Sequence, residues 1–365
     1  MWGVNRIMFL SILLTNYNQM ELLRRNIREV CKCRSDDIEI VVSDNCSEEP
    51  IERMLSEFDD NRIRYCKTAK HGGQDANILN GIRNCRGEYI FLFRTKDILI
   101  PEAIEKTIQI MHSHPSAVYF MFSSLDENGE KRLLWKDKIY MKGEEAQQAH
   151  ERLLIHPSGQ IYKRSMLRPD TYENYINDSS CSVHQLIRMD LALQGDFVTS
   201  SLYNWKYAYT LRSTTVSANQ MGSTLSIYAP FYEYQRYGFA MSFIDNELPE
   251  ENRGIFIRQL IKHYSWSIVP GFLQINCDKA YNSHYNSRPI PFFPYKELKH
   301  FKQVSEEMLE DLQYTGESLR GYLQQRIYIC AFWSIPKAYV KMSIKKLVYN
   351  NKLLANIWQK VRKIG

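Results

Sequence analysis

The residues most able to do chemistry stand where apolar runs stop. After "EYIFLF" come Arg94, Thr95, Lys96 and Asp97, and then "ILIP". After "IEIVVS" come Asp44, Asn45, Cys46 and Ser47, and after "IMFLSILL" come Thr15, Asn16, Tyr17 and Asn18. Gathered at one edge of a sheet, they would supply carboxylates, several amides and two cations. That set suits a nucleotide, with a carboxylate or amide for base and ribose and cations for phosphates. Arg94 and Lys96 would repel each other in a partly buried pocket unless an anionic ligand, or an acid such as Asp97, offsets them.

The elements that must position these residues alternate. "IMFLSILL" and "IEIVVS" are continuous apolar runs, as strands covered on both faces require. Asn18, three residues before Glu21, predicts a capping-box start for a helix carrying Leu23, Ile27 and Val30. "RIRYCK" predicts a third strand, and a helix with Ile78 and Ile82 follows "HGG". That helix stops at "NCRG", where Gly87 is expected to take positive φ. "EYIFLF" and "AVYFMF" are the fourth and fifth strands. Pro101 suits the first turn of the helix between them, and "DENGE" suits a hairpin tip. This order predicts a mostly parallel α/β sheet with ligands outside the carboxyl ends of its strands.

Bulk properties exclude several classes. With 365 residues, 44% of them hydrophobic, the chain can bury one large core plus an elaboration. A net charge of +6, with no dense basic patch in the first 330 positions, argues against a nucleic-acid partner. Eight cysteines lie scattered, without CxxC, which favours free thiols in a reducing compartment over disulfides or zinc. His112 and His114 stand before Pro115 and read as solvated rather than as a metal pair. The first apolar run lacks a small-residue cleavage site, and no run reaches the ~18 residues that span a bilayer.

Taken as a set, "SILLTNYNQMELLRRNI", "EIVVSDNCSEE", "GGQDANILNGIRNCRGEYIFLF" and "DILIPEAIEK" resemble the family 2 glycosyltransferases, inverting enzymes of the GT-A fold that use nucleotide-activated sugars. The resemblance covers roughly the first 110 residues. It implies a GT-A-type nucleotide-binding sheet with helices on both faces, followed by a mainly helical C-terminal extension. Thr15 and Tyr17 would flank the nucleobase, Asp44 would hydrogen-bond it, Asn16 and Asn45 would join the donor-binding set, and Asn77 and Gly81 would lie on the helix lining the donor site. Where the family carries D-x-D-D, this chain carries Arg94, Thr95, Lys96 and Asp97. Two cations therefore stand where metal and diphosphate are expected, with Asp97 the sole acid there that could meet a metal. A guanidinium and an ammonium can neutralise a diphosphate as a divalent ion does. Metal-independent catalysis with no cofactor is thus the expectation, and Mn2+ or Mg2+ the alternative. The family's general base falls on His184, with Asp178 and Asp190 as alternatives. "HPSGQIYKRSML" resembles the acceptor-side strand, so His156, Ser158 and Gly159 would line the acceptor cleft.

The resemblance fades after about residue 225. Aromatic helices and a proline-rich break follow. From Pro336 to Gly365 there are eight Lys or Arg and no acid, interleaved with apolar residues. Such a segment suits an anionic membrane surface. The expected domains are 1–225, 226–335 and 336–365. The implied activity is transfer from a UDP-sugar to a surface polysaccharide, such as a capsule or O-antigen, or to a lipid-linked glycan. The implied location is the inner face of the plasma membrane, on the cytoplasmic side. Two other classes are a catalytically silent relative that binds a nucleotide or glycan as a scaffold, and a nucleotidyltransferase-like enzyme. The missing glycine-rich basic loop after the first strand counts against the latter.

Overall fold

A computed structural model describes residues 8–152, 156–176, 183–207 and 230–260, with residues 340, 343, 344 and 351. The chain divides into two compact units, Met1–Val216 and Ser217–Gly365. The first is built on a ten-stranded sheet. Its strands are β1 (Leu10–Asn16), β2 (Ile38–Asp44), β3 (Ile63–Lys67), β4 (Tyr89–Arg94), β5 (Ile98–Leu99), β6 (Ala117–Asp126), β7 (Lys131–Leu133), β8 (Lys138–Tyr140), β9 (Gln160–Lys163) and β10 (Asp196–Tyr207). They run in the order β3-β2-β1-β4-β9-β6-β10-β5, with β7 beside β6 and β8 beside β10.

The first four strands in this order are parallel. Every residue of β1 and β2 is buried, which explains their unbroken apolar sequence. β9 runs antiparallel to both neighbours, so the sheet is mixed rather than mostly parallel. Its insertion brings residues 156–159 to the carboxyl end of β4, because an antiparallel strand begins where its neighbour ends.

Helices α1 (Met20–Val30), α2 (Ile51–Leu55), α3 (Gly73–Asn84), α4 (Ile104–His112), α5 (Glu144–Arg152), α6 (Pro169–Glu173) and α7 (Val183–Leu191) complete this unit. In α1 the spacing of Leu23, Ile27 and Val30 buries one stripe, as expected. The capping box does not form. Asn18 takes φ +46°, and its Oδ1 accepts from the Glu48 N–H, while Glu49 Oε2 accepts the Met20 N–H at 2.9 Å. A neighbouring strand end therefore caps α1. Gly87 is also needed for a different reason than expected. Its φ is not positive; a Cβ there would stand 2.6 Å from the Ser11 backbone nitrogen. Pro101 opens a short 3-10 turn into α4, and the "DENGE" hairpin tip forms with Gly129 at φ +83°.

Described residues of the second unit include α8 (Pro230–Glu247) and a helical stretch over 250–260, both within the expected helical extension. The proline-rich break and nearly all of 336–365 lie outside the described residues. Among those described, Cys31, Cys33, Cys46, Cys66 and Cys85 are free thiols, and no helix is long and apolar enough to cross a membrane.

Candidate active site

The three polar strand ends do meet. Thr15 pairs in register with Ser43 on one side and Arg94 on the other, and Asn16 with Asp44. On the β2 side, Asp44 is wholly enclosed. Its Oδ1 accepts from Asn16 Nδ2 at 3.0 Å and from the Ser47 hydroxyl. Its Oδ2 accepts from the Ser47 N–H at 3.0 Å and from the Tyr65 phenol at 3.3 Å. Cys46 at φ +61° makes the turn that returns Ser47 to the carboxylate. Burial first, and then the Asp44 charge, push the Tyr65 phenol up. Asn45 Oδ1 accepts the Gly72 N–H at 3.1 Å, fixing the loop after β3. From that loop, His71 meets the Tyr17 ring with centroids 4.4 Å apart and planes at 52°.

On the β4 side, the turn at 94–97 is fastened from beneath. The Thr95 N–H and hydroxyl both donate to the Thr15 carbonyl, at 3.2 and 2.5 Å. From α1, Asn26 Nδ2 donates to the carbonyls of Thr95 and Asp97 at 2.5 and 2.8 Å, and Arg25 Nη2 to that of Lys96 at 2.9 Å. The Asp97 carboxylate is fully buried. Its Oδ2 accepts from the Ser158 hydroxyl at 2.6 Å and from Arg94 Nε and Nη2, each at 3.3 Å. The Ser158 oxygen in turn accepts the Arg94 N–H at 2.9 Å. Gly159, at φ +86°, has room for no side chain because the Trp205 indole covers it.

His156 completes the cluster. Its ring stacks on Trp205 at 5.4 Å and 22°, and meets the Tyr207 edge at 4.8 Å. Nδ1 faces the Ser158 N–H at 3.2 Å, and Nε2 touches Arg94 Nη2 while lying 3.7 Å from Asp97 Oδ2. Both ring nitrogens thus face donors. Burial, followed by the charges of Arg94 and Lys96, holds the imidazole well below its usual range, so it is neutral at pH 7. Positive charge reaches this cluster from Arg94, Lys96 and Arg132 at His156 and from Arg25 at Asp97.

A divalent ion demands several oxygen ligands. The carboxylate oxygen available here already accepts from Ser158 and from a guanidinium, and that guanidinium would repel a second cation. Among the described residues no three His, Cys, Asp or Glu side chains are grouped to hold one. Among the described residues, the 94–97 turn thus offers one carboxylate, already hydrogen-bonded, beside a guanidinium.

The remaining sequence candidates separate from this cluster. Asn77 is buried, with Oδ1 accepting from the Ser43 hydroxyl at 2.8 Å and Nδ2 donating to the Asn16 carbonyl at 3.1 Å; it ties α3 to the strand ends. Gly81 lies against the Leu13 side chain, which leaves no space for a Cβ there. Asp190 accepts from Arg168 Nε and Nη2, at 2.9 and 3.0 Å, and from the Tyr172 phenol at 2.6 Å. His184 is 2% exposed in the first turn of α7, beside Val183, whose N–H donates to Asp75. It is not among the side chains described around Asp97. Asp178 lies outside the described residues. His112 stacks on Phe9 at 4.0 Å.

Sequence reasoning missed Arg25, Asn26, Tyr65, His71, Trp205 and Tyr207. Asn26 did carry a signal: it is a polar residue on the buried stripe of α1, between Leu23 and Ile27.

Residues 11–169 match the family described as "Glycosyl transferase family 2". Over 103 residues the chain is 27% identical to the GalNAc(5)-diNAcBac-PP-undecaprenol beta-1,3-glucosyltransferase of Campylobacter jejuni. That match takes in 27% of this chain and about a third (33%) of the relative's length. The S. aureus TarS 1-349 structure in complex with UDP-GlcNAc superposes with a TM-score of 0.61 at 15% identity, covering 92% of each chain. The UDP complex of the same protein gives 0.58 over the same shares, also at 15% identity. These likenesses show the fold.

Proposed function

We propose that this chain, whose residues 11–169 form a glycosyltransferase family 2 domain, is an inverting glycosyltransferase that uses a UDP-sugar without a divalent ion. The acceptor in this reading is a lipid-linked or surface glycan. The C. jejuni relative, named for a glycan on undecaprenyl diphosphate, and the UDP-GlcNAc complex of the S. aureus structure support that choice.

The observation that carries the reading is the Arg94–Asp97 pair. Arg94 is held by Asp97 at a strand end, where its guanidinium can fork across two diphosphate oxygens. In the reaction an acceptor hydroxyl attacks the anomeric carbon from the face opposite the diphosphate. The bond from that carbon to the phosphate oxygen breaks, the diphosphate leaves with the electron pair, and a base takes the hydroxyl proton. His184 is proposed as that base. His184→Ala should abolish turnover while nucleotide binding persists, and unchanged turnover rejects the role.

Transfer measured in EDTA tests the whole reading. Undiminished rates are expected, whereas loss in EDTA with recovery in Mn2+ would overturn metal independence. A second reading, a silent nucleotide-binding scaffold, draws on the neutralisation of Arg94 by Asp97 before any ligand arrives. Tight UDP-sugar binding with neither transfer nor donor hydrolysis would favour it.

A further inference from the structure

Strands β7 and β8, which pair with β6 and β10, belong to one arm of the chain, residues 131–142, that exposes an unusual combination of side chains. Leu134, Ile139 and Met141 are 64%, 43% and 57% exposed, the largest such values for big apolar residues described in this unit. Among them stand Lys131, Arg132, Lys136, Lys138 and Lys142, all exposed. The acid of this stretch, Asp137, is exposed as well; its carboxylate accepts from the Ser200 and Ser201 hydroxyls and the Ser201 N–H, which holds it below the usual range. Residues 131–142 thus present five cations against one hydrogen-bonded carboxylate, with three protruding apolar side chains. The whole-chain charge hides this, because acids flank the arm at Glu127, Glu130, Glu144 and Glu145.

We propose that residues 131–142 dock on the surface of an anionic lipid bilayer. Apolar side chains that insert and lysines that meet headgroup phosphates are the pairing such a surface rewards. The root of the arm lies against the candidate site. The Arg132 guanidinium stands 5.5 Å from the Tyr207 ring centroid, and Tyr207 meets His156. Docking would therefore hold the mouth of the site close to the headgroups, where a lipid-borne acceptor presents its glycan. This arm is separate from the basic segment 336–365 and belongs to the other unit.

The test is sedimentation of the full chain with vesicles of phosphatidylcholine alone or with a third phosphatidylglycerol. Binding is expected only to the anionic vesicles. Two variants leave the site and residues 336–365 untouched: L134S/I139S/M141S, and K131Q/K136Q/K142Q. Each removed cation should weaken binding roughly fivefold, and the apolar set should leave a residue of binding that 0.5 M NaCl abolishes. The second variant keeps the test valid if the first fails to fold, as judged by its melt. Wild-type affinity in both variants overturns the proposal. So does a concentration-dependent dimer, by light scattering, that either variant dissolves, since the arm would then serve a second copy of the chain. Failure here leaves the transferase reading standing, because donor hydrolysis without vesicles is read separately.

Discussion

Asp44 and Asp97 stand at the ends of β2 and β4, on either side of β1, and both carboxylates are fully buried. They are held by opposite means. Around Asp44 every donor is neutral: an amide, a hydroxyl, a backbone N–H and a phenol. Around Asp97 the donors are a hydroxyl and a guanidinium, with further cations at Arg25 and Lys96 nearby. Neutral donors stabilise a carboxylate without cancelling its charge, so the β2 end remains an acceptor-rich place suited to the donor groups of a base or ribose. The β4 end has its acid cancelled and cations to spare, which suits phosphate. In the function proposed above, the two strand ends would divide the binding of one ligand with a neutral head and an anionic tail.

Arg94→Ala should break this comparison most severely. Removing one charge-stabilising group from a site of this kind costs on the order of a hundredfold or more in turnover. Steady-state transfer kinetics would show it, with Mn2+ giving no rescue. Turnover within a few-fold of the wild type would mean that the β4 end does not bear the diphosphate. Asp97→Asn and Asp44→Asn then sharpen the contrast through stability. Each places an amide among groups arranged for a carboxylate, at a cost of roughly 1–3 kcal/mol. The Asp97 variant also leaves a partly exposed guanidinium among other cations, so high salt should restore part of its loss. The Asp44 variant, surrounded by neutral donors, should lose the same amount at 50 mM and 1 M NaCl. Equal salt responses in thermal melts would erase the distinction between the two ends.

How much of this was legible follows from what each element depends on. β1, β2 and β4 are local: buried on both faces, they announce themselves as unbroken apolar runs, and their ends fall where the polar residues begin. The meeting of Thr15, Asp44 and Arg94 follows from parallel pairing. What the sequence hid is what arrives from far along the chain. Glu49 rather than Asn18 caps α1, because a partner from the next strand end outbids the local one. Ser158 and His156 reach Asp97 only because β9 inserts antiparallel between β4 and β6, a pairing that no period or spacing encodes. Gly81 and Asn77 matched a family pattern; the contacts they make, with Leu13 and with Ser43 and Asn16, come from β1 and β2. The partners of Asp190, Arg168 and Tyr172, stand roughly twenty residues earlier.

The smallest expected effect concerns the imidazole between these charges. His156 is held below its ordinary value, so the folded chain resists protonating it while the unfolded chain does so near pH 6.5. The sign follows from proton uptake. Above about pH 6.5 both states carry the neutral ring, and its full contribution to stability is present. As pH falls from there toward the folded-state value, the unfolded state binds the extra proton and stability drops, by at most about 1.4 kcal/mol per pH unit. His156→Asn keeps a side-chain acceptor near the Ser158 N–H and removes the titration. Melts between pH 7.5 and 5.5 should therefore converge, the wild type losing more than the variant as acid is added. Every other group is common to both proteins, so the difference isolates His156. Parallel curves would mean that the ring accepts its proton in place, and that the cations around Asp97 press on it less than their positions require.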